Sequence, residues 1–157
     1  MALKGKIGAE IEIRSPASKF FNVYVTQIHE LQNISDGVHQ TKLHQGDWHG
    51  VGSHSVKHWT LTIESTGGKA VSIKEHFEGI DHANKTLLFN FFDGATSEKY
   101  KNKLKGKLKV VDKSQGGALV KWSFRYEKLH EAMPPPQDYM DFFTKLTEDV
   151  DAHLLKA

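Results

Sequence analysis

The chain has 157 residues, no cysteine, and 21 basic against 19 acidic side chains, a net charge of +2 with neutral histidines. That length suits one domain burying roughly 70% of the surface its unfolded chain exposes, and the absence of cysteine excludes disulfides, thiolate metal sites, prenylation and cysteine nucleophiles. The basic excess is small and almost all lysine, with only Arg14 and Arg125 to offer a planar fork, so no specific nucleic-acid partner is expected.

The first twenty residues lack the continuous apolar stretch of a secretory signal, and no stretch is long enough to span a bilayer. A cytoplasmic protein without stable membrane insertion is expected. Ile7, Ala9, Ile11 and Ile13 alternate with Gly8, Glu10 and Glu12, the period of a half-buried strand. Ser15 and Pro16 are expected to cap and open a helical segment, in which Phe20, Phe21, Tyr24, Ile28 and Leu31 recur at helical intervals over one or two short helices.

From Val38 to Leu129, turn signals near Gly67, His82, Gly94 and Gly116 separate runs rich in Val, Ile, Phe and Trp, predicting six consecutive antiparallel strands. In KYKNKLKGKLKVV, Tyr100, Leu104, Leu108 and Val110 share a face with Asn102 and Gly106. Lys99, Lys101, Lys103, Lys105, Lys107 and Lys109 occupy the other, which identifies the wet side. After MPPPQ, Tyr139, Phe143, Leu146, Val150 and Leu154 form the apolar stripe of one amphipathic helix. Asp138 and Asp141 near its start and His153 and Lys156 near its end suit the helix dipole. The pattern implies a single α+β domain, residues 1–157, whose terminal helix covers one face of a curved antiparallel sheet.

The stretch LHQGDWHGVGSHSVKHW, Leu43 to Trp59, concentrates glycine and histidine. Gly46, Gly50 and Gly52 do not have Walker spacing, and a strand rather than a helix follows. His54 and His58 would sit about 13 Å apart on a strand, too far to share one zinc at about 2 Å from each. His44 or His49 could approach from a neighbouring strand, but no four-ligand set is visible, and no metal or cofactor is expected. Strand parity places Glu75 with Val71, Ile73 and Phe77, in apolar surroundings that raise a carboxyl pKa. The parity that turns Trp59 inward also turns Lys57 inward, while the opposite phase would turn in His54 and His58.

With that order of elements, the chain resembles the major latex protein branch of the Bet v I family, which includes the pathogenesis-related class 10 plant proteins. The resemblance rests on GDWHGVGS (Gly46 to Ser53), KEHFEGID (Lys74 to Asp81), ALVKWSFRYEKL (Ala118 to Leu129) and DFFTKLTEDVDAHLL (Asp141 to Leu155), in the right order over essentially the whole chain. It implies a seven-stranded antiparallel sheet gripping the long terminal helix, with two short helices in a V, and a cavity for flavonoids, sterol-like compounds, hormones or lipids. Gly46, Gly50 and Gly52 would form the family's glycine-rich loop. Trp48, His49 and Val51 stand between these glycines, so a phosphate-binding or ribonuclease role is not carried over.

Together, parity and resemblance point to a ligand-contacting set. It comprises Trp59, Leu61, Ile73, Glu75, Phe77, Leu87, Phe89 and Phe91, then Tyr100, Leu104, Leu108, Trp122 and Phe124. Tyr139, Phe142, Phe143 and Leu146 of the terminal helix complete it. A residual void of about 300 Å³ would cost roughly 7 kcal/mol, so water, a ligand or inward collapse should fill it. The expected function is non-enzymatic binding of hydrophobic or amphipathic small molecules in stress or defence, by a monomer, with a dimer as the alternative. A cavity-based isomerase or condensing enzyme using Glu75, Tyr100 and Lys57 is the second reading, and anionic contact through the lysine face of the Tyr100 to Val111 strand is the third.

Overall fold

A computed structural model describes residues 3–63, 70–96, 99–101 and 104–156. Its strands are β1 (Lys4–Ile13), β2 (Val38–Gln45), β3 (Val56–Thr62), β4 (Ala70–Asp81), β5 (Thr86–Phe92), β6 (Leu104–Asp112) and β7 (Ala118–Glu127). They form one antiparallel sheet in the order β1-β7-β6-β5-β4-β3-β2. Helices α1 (Ala17–Thr26) and α2 (Leu31–Ile34) lie between β1 and β2, joined through a 3-10 turn at Ile28–Glu30, and α3 (Gln137–Lys156) closes the chain. This is the α+β fold, with a curved sheet around a long terminal helix, that the sequence predicts.

The alternation in β6 survives in three dimensions. Leu104, Gly106, Leu108 and Val110 are buried while Lys105 and Lys107 are exposed. Gly106 lies opposite Phe89 of β5, whose ring fills the space a Cβ would need; glycine here makes room for an aromatic side chain. The strand begins later than the lysine pattern suggests, and Tyr100 pairs instead with Lys128 in an isolated bridge. Asn102, Lys103 and the expected turn near Gly67 lie outside the described residues.

The corner before α1 also departs from expectation. Pro16, not Ser15, is the cap, with φ −62° and ψ 147°, and its carbonyl accepts the first helical bond from Phe20. Ser15 is used across the fold: its hydroxyl and amide donate to Asp151 of α3 at 2.6 and 2.9 Å, and the Arg14 amide donates to the same carboxylate at 3.0 Å. The Ala17 amide is satisfied by Asp112 of β6 at 3.0 Å. The helix-start amide of Ala17 and the two amides before the cap are thus held by remote carboxylates, a pairing that local sequence does not reveal.

Between sheet and α3 the core is aromatic. Phe143 of α3 has its ring centroid 4.4 Å from that of Trp122 and 5.6 to 6.1 Å from those of Phe124, Phe91 and Phe89, within the range of favourable ring pairs. The Trp122 indole N–H donates to the Thr147 hydroxyl at 2.8 Å, and that hydroxyl donates to the Phe143 carbonyl at 2.7 Å, so the buried polar atoms of this contact are satisfied.

Candidate functional site

A small cavity lies between the sheet and α3, toward the β3–β5 side. Of the residues expected to contact a ligand, Trp59 and Leu61 of β3, Glu75 of β4 and Leu87, Phe89 and Phe91 of β5 line it. Trp122 of β7 and Phe142, Phe143 and Leu146 of α3 complete that part of the wall. Ile73, Phe77, Leu104, Leu108, Phe124 and Tyr139 are buried but lie off the wall. Tyr139 packs on Phe91 and Phe124, so aromatic packing occupies the side near β6 and β7. Tyr100 is also off the wall, and its hydroxyl donates to the Pro134 carbonyl at 3.0 Å.

Tyr24, Ile28, Leu31 and Val38 contribute a second wall that parity along the later strands did not include. The helical spacing of Tyr24, Ile28 and Leu31 carried the signal, but periodicity marks a buried face without saying whether it meets other side chains or a void.

The cavity that the resemblance implies is present but small. The cavity has a volume of about 30 Å³, enough for water and far below the about 300–1,000 Å³ of small-molecule sites. Aromatic and aliphatic side chains pack against one another around it. At about 24 cal/mol per Å³ a void this size costs under about 1 kcal/mol.

Two polar groups interrupt the apolar wall. The Tyr24 hydroxyl is buried with no hydrogen-bond partner among the described residues, and burial, reinforced by Asp149, pushes its pKa up. Glu75 accepts a bond from the Trp59 indole N–H at 3.0 Å. Its Oε1 lies 3.9 Å from Nζ of Lys57, whose side chain is fully buried. Lys57 is therefore on the inner face, while His54 is exposed and His58 half-buried. The Lys57 ammonium also donates to the Trp48 carbonyl at 3.3 Å and sits 3.6 Å over the Phe77 ring. Burial raises the Glu75 pKa, against the opposing pull of Lys57 and the Trp59 bond. It lowers that of Lys57, against Glu75.

The loop between β2 and β3 covers this polar corner. Gly46 and Gly52 have φ of +75° and +116°, backbone that glycine adopts without strain. The Gly52 amide donates to the Phe77 carbonyl at 2.8 Å. The Ile28 amide donates to Nε2 of His49 at 3.2 Å, so that nitrogen carries no proton, and Trp48 packs on His29 with ring centroids 5.6 Å apart. Among the described residues no group of three His, Asp or Glu side chains is placed to hold a metal ion.

This sheet, helix and loop arrangement agrees with the profile of the pathogenesis-related protein Bet v 1 family, which matches residues 2–157. The chain belongs to the Bet v 1 family. Major latex protein 146 of Papaver somniferum is 33% identical over 154 residues, covering 97% of this chain and 92% of its own. MLP-like protein 43 of Arabidopsis thaliana is 29% identical over 156 residues, covering 98% and 95%. The crystal structure of ginseng major latex-like protein 151 from Panax ginseng superimposes with a TM-score of 0.88 at 32% identity, covering 97% of this chain and 98% of that one. The major latex branch is therefore where this Bet v 1 chain has its relatives, in a family whose members generally bind ligands. No helix among the described residues is long and apolar enough to cross a membrane.

Proposed function

We propose that the whole chain acts as one ligand-binding domain, a carrier that takes up an apolar small molecule bearing a polar group between the sheet and α3. The observation that supports this best is the Tyr24 hydroxyl, buried without a partner in a wall that is otherwise apolar except at Glu75. An unpaired buried hydroxyl costs about 1–3 kcal/mol, and a guest acceptor would recover that. Flavonoids, sterol-like compounds, plant hormones and lipids each join an apolar body to hydroxyl, carbonyl or amine groups that suit Tyr24 and Glu75. The guest would occupy space that Phe142, Phe143 and Leu146 now fill, so binding requires these α3 side chains to move.

Hiding about 400 Å² of apolar surface gains on the order of 10 kcal/mol before association, ordering and reopening costs, which leaves micromolar affinity as the expectation. Carriage is favoured over catalysis because the suggested acid–base set does not converge on the cavity: Lys57 lies off the wall and the Tyr100 hydroxyl is committed to Pro134. A monomer, a cytoplasmic location and a role in stress or defence belong to the same proposal and rest on the family association.

Titration with an environment-sensitive apolar dye, followed by competition with a flavonoid, a sterol and a cytokinin-like compound, tests it. Tyr24→Phe should weaken a competitor bearing an acceptor about five- to tenfold while leaving the dye unchanged, the worth of one net hydrogen bond. If neither the dye nor any competitor binds the folded protein, the carrier reading fails.

A further inference from the structure

The outer face of the sheet carries a concentration of charge that the cavity does not explain. In the pairing of β1, β7 and β6, Lys6 lies opposite Arg125, which lies opposite Lys105. Two residues along, Gly8, Ser123 and Lys107 form the next row, and Glu10, Lys121 and Lys109 the third. Six cations and one acid thus occupy three adjacent rows of a chain whose net charge is +2, so the remainder of the molecule is net acidic. Directly opposed side chains are about 4.5–5.5 Å apart at Cβ, where like charges destabilise a sheet. The two sets of opposed cations, Lys6–Arg125–Lys105 and Lys109–Lys121, are therefore held against their own repulsion. None of the six has an ion pair among the described residues, and all are exposed except Lys109, which is half-buried.

We propose that this β1–β7–β6 face docks the protein on an anionic lipid bilayer. Five of its six cations are lysines, compact point charges on flexible stems that suit a fluid array of headgroups rather than a fixed planar target. Leu88, 40% exposed, stands in register with Lys107 on the β5 side, and Val111, also 40% exposed, continues β6 beyond Lys109; both can enter the interface beside the charges. A single-stranded nucleic acid is the less fitting occupant, because base stacking needs aromatic side chains among the cations and the three rows carry none. The face lies on the opposite side of the sheet from the cavity, and the proposal does not depend on any ligand being found there.

Flotation of the full chain with vesicles of phosphatidylcholine, with and without phosphatidylserine, at low and high salt tests this docking. Binding is expected to the phosphatidylserine vesicles alone and to decline steeply with salt. Each removed charge should weaken it about fivefold, so K105Q/K107Q/K109Q should bind about a hundredfold less well. The equal-charge control K19Q/K42Q/K156Q, outside the face, should stay within about threefold of the unchanged protein. Circular dichroism checks folding; if the β6 triple does not fold, K6Q/K121Q/R125Q on β1 and β7 replaces it with the same expectation. The proposal is overturned if the protein ignores anionic vesicles, binds neutral ones equally, or loses binding equally in face and control variants. Tighter binding of a short single-stranded RNA at the same salt, lost in the face variant, would assign the surface to nucleic acid instead.

Discussion

Around Phe143 the interior is filled by rings, whereas beneath the β2–β3 loop it holds a lysine and a glutamate withdrawn from water. The first region pairs the Trp122 indole N–H with Thr147 and is otherwise stabilised by burial and close packing. In the second, each charge bears a desolvation cost, and the 3.9 Å separation of Lys57 from Glu75 makes only a loose pair. The cavity adjoins both regions: apolar side chains line most of it, the Tyr24 hydroxyl is left without a hydrogen-bond partner among the described residues, and the Glu75 carboxylate is held by Trp59 and Lys57.

The largest expected effect that would break this contrast is on the aromatic side. Phe143→Ala should cost about 3–5 kcal/mol in urea unfolding and strengthen binding of the apolar dye by enlarging the cavity. A loss below about 1 kcal/mol would show that the ring cluster is not the packed region.

Glu75→Gln comes next. It keeps an acceptor for Trp59 and leaves Lys57 buried without its counter-charge, for an expected loss of about 2–3 kcal/mol at neutral pH, at or below the range for closer buried pairs. Because the folded Lys57 pKa is lowered below its ordinary value, the unfolded chain binds more protons in the window beneath about 10.5. Stability should therefore recover as pH rises through that window. Replacing both, K57M/E75L, should return stability close to that of the unchanged protein, and equilibrium unfolding of K57M, E75L and the double variant gives the coupling directly. A double variant as unstable as Glu75→Gln would mean the pair is structurally required.

The smallest effect concerns the loop. Burial first, then Lys57 and His29, holds the His49 pKa below its ordinary value of 6.5, and neutral His49 accepts the Ile28 amide. Its contribution is complete above 6.5 and is lost as pH falls from there toward the lower folded value. His49→Ala should cost about 0.5–1.5 kcal/mol at pH 7.5 and flatten the change in melting temperature between pH 7.5 and 5. An unaltered pH profile would remove His49 as the loop's titrating contact.

Much of the fold was legible because burial leaves a local record. The alternation in Ile7 to Ile13 and in Leu104 to Val110, and the three-and-four spacing of Tyr139 to Val150, reflect which face of each element meets the core. About the candidate site the sequence was less informative. Parity could nominate Trp59, Glu75 and Phe89, but it could not separate cavity wall from solid core at Ile73, Phe77 or Leu108, since both are equally dry. Tyr24 was recognised as part of a helical stripe, while its missing hydrogen bond depends on everything packed around it.

The order of elements, the wet and dry sides of β1, β6 and α3, and the family were determined by the sequence alone, because periodicity and motif are properties of neighbouring residues. Only the tertiary structure decided that Lys57 rather than His54 turns inward, that side chains from sheet and helix close the cavity to about 30 Å³, and that lysines of separate strands stand directly opposite one another. Each of these depends on inter-strand register and on the volume left between packed faces, quantities set by residues distant in the chain.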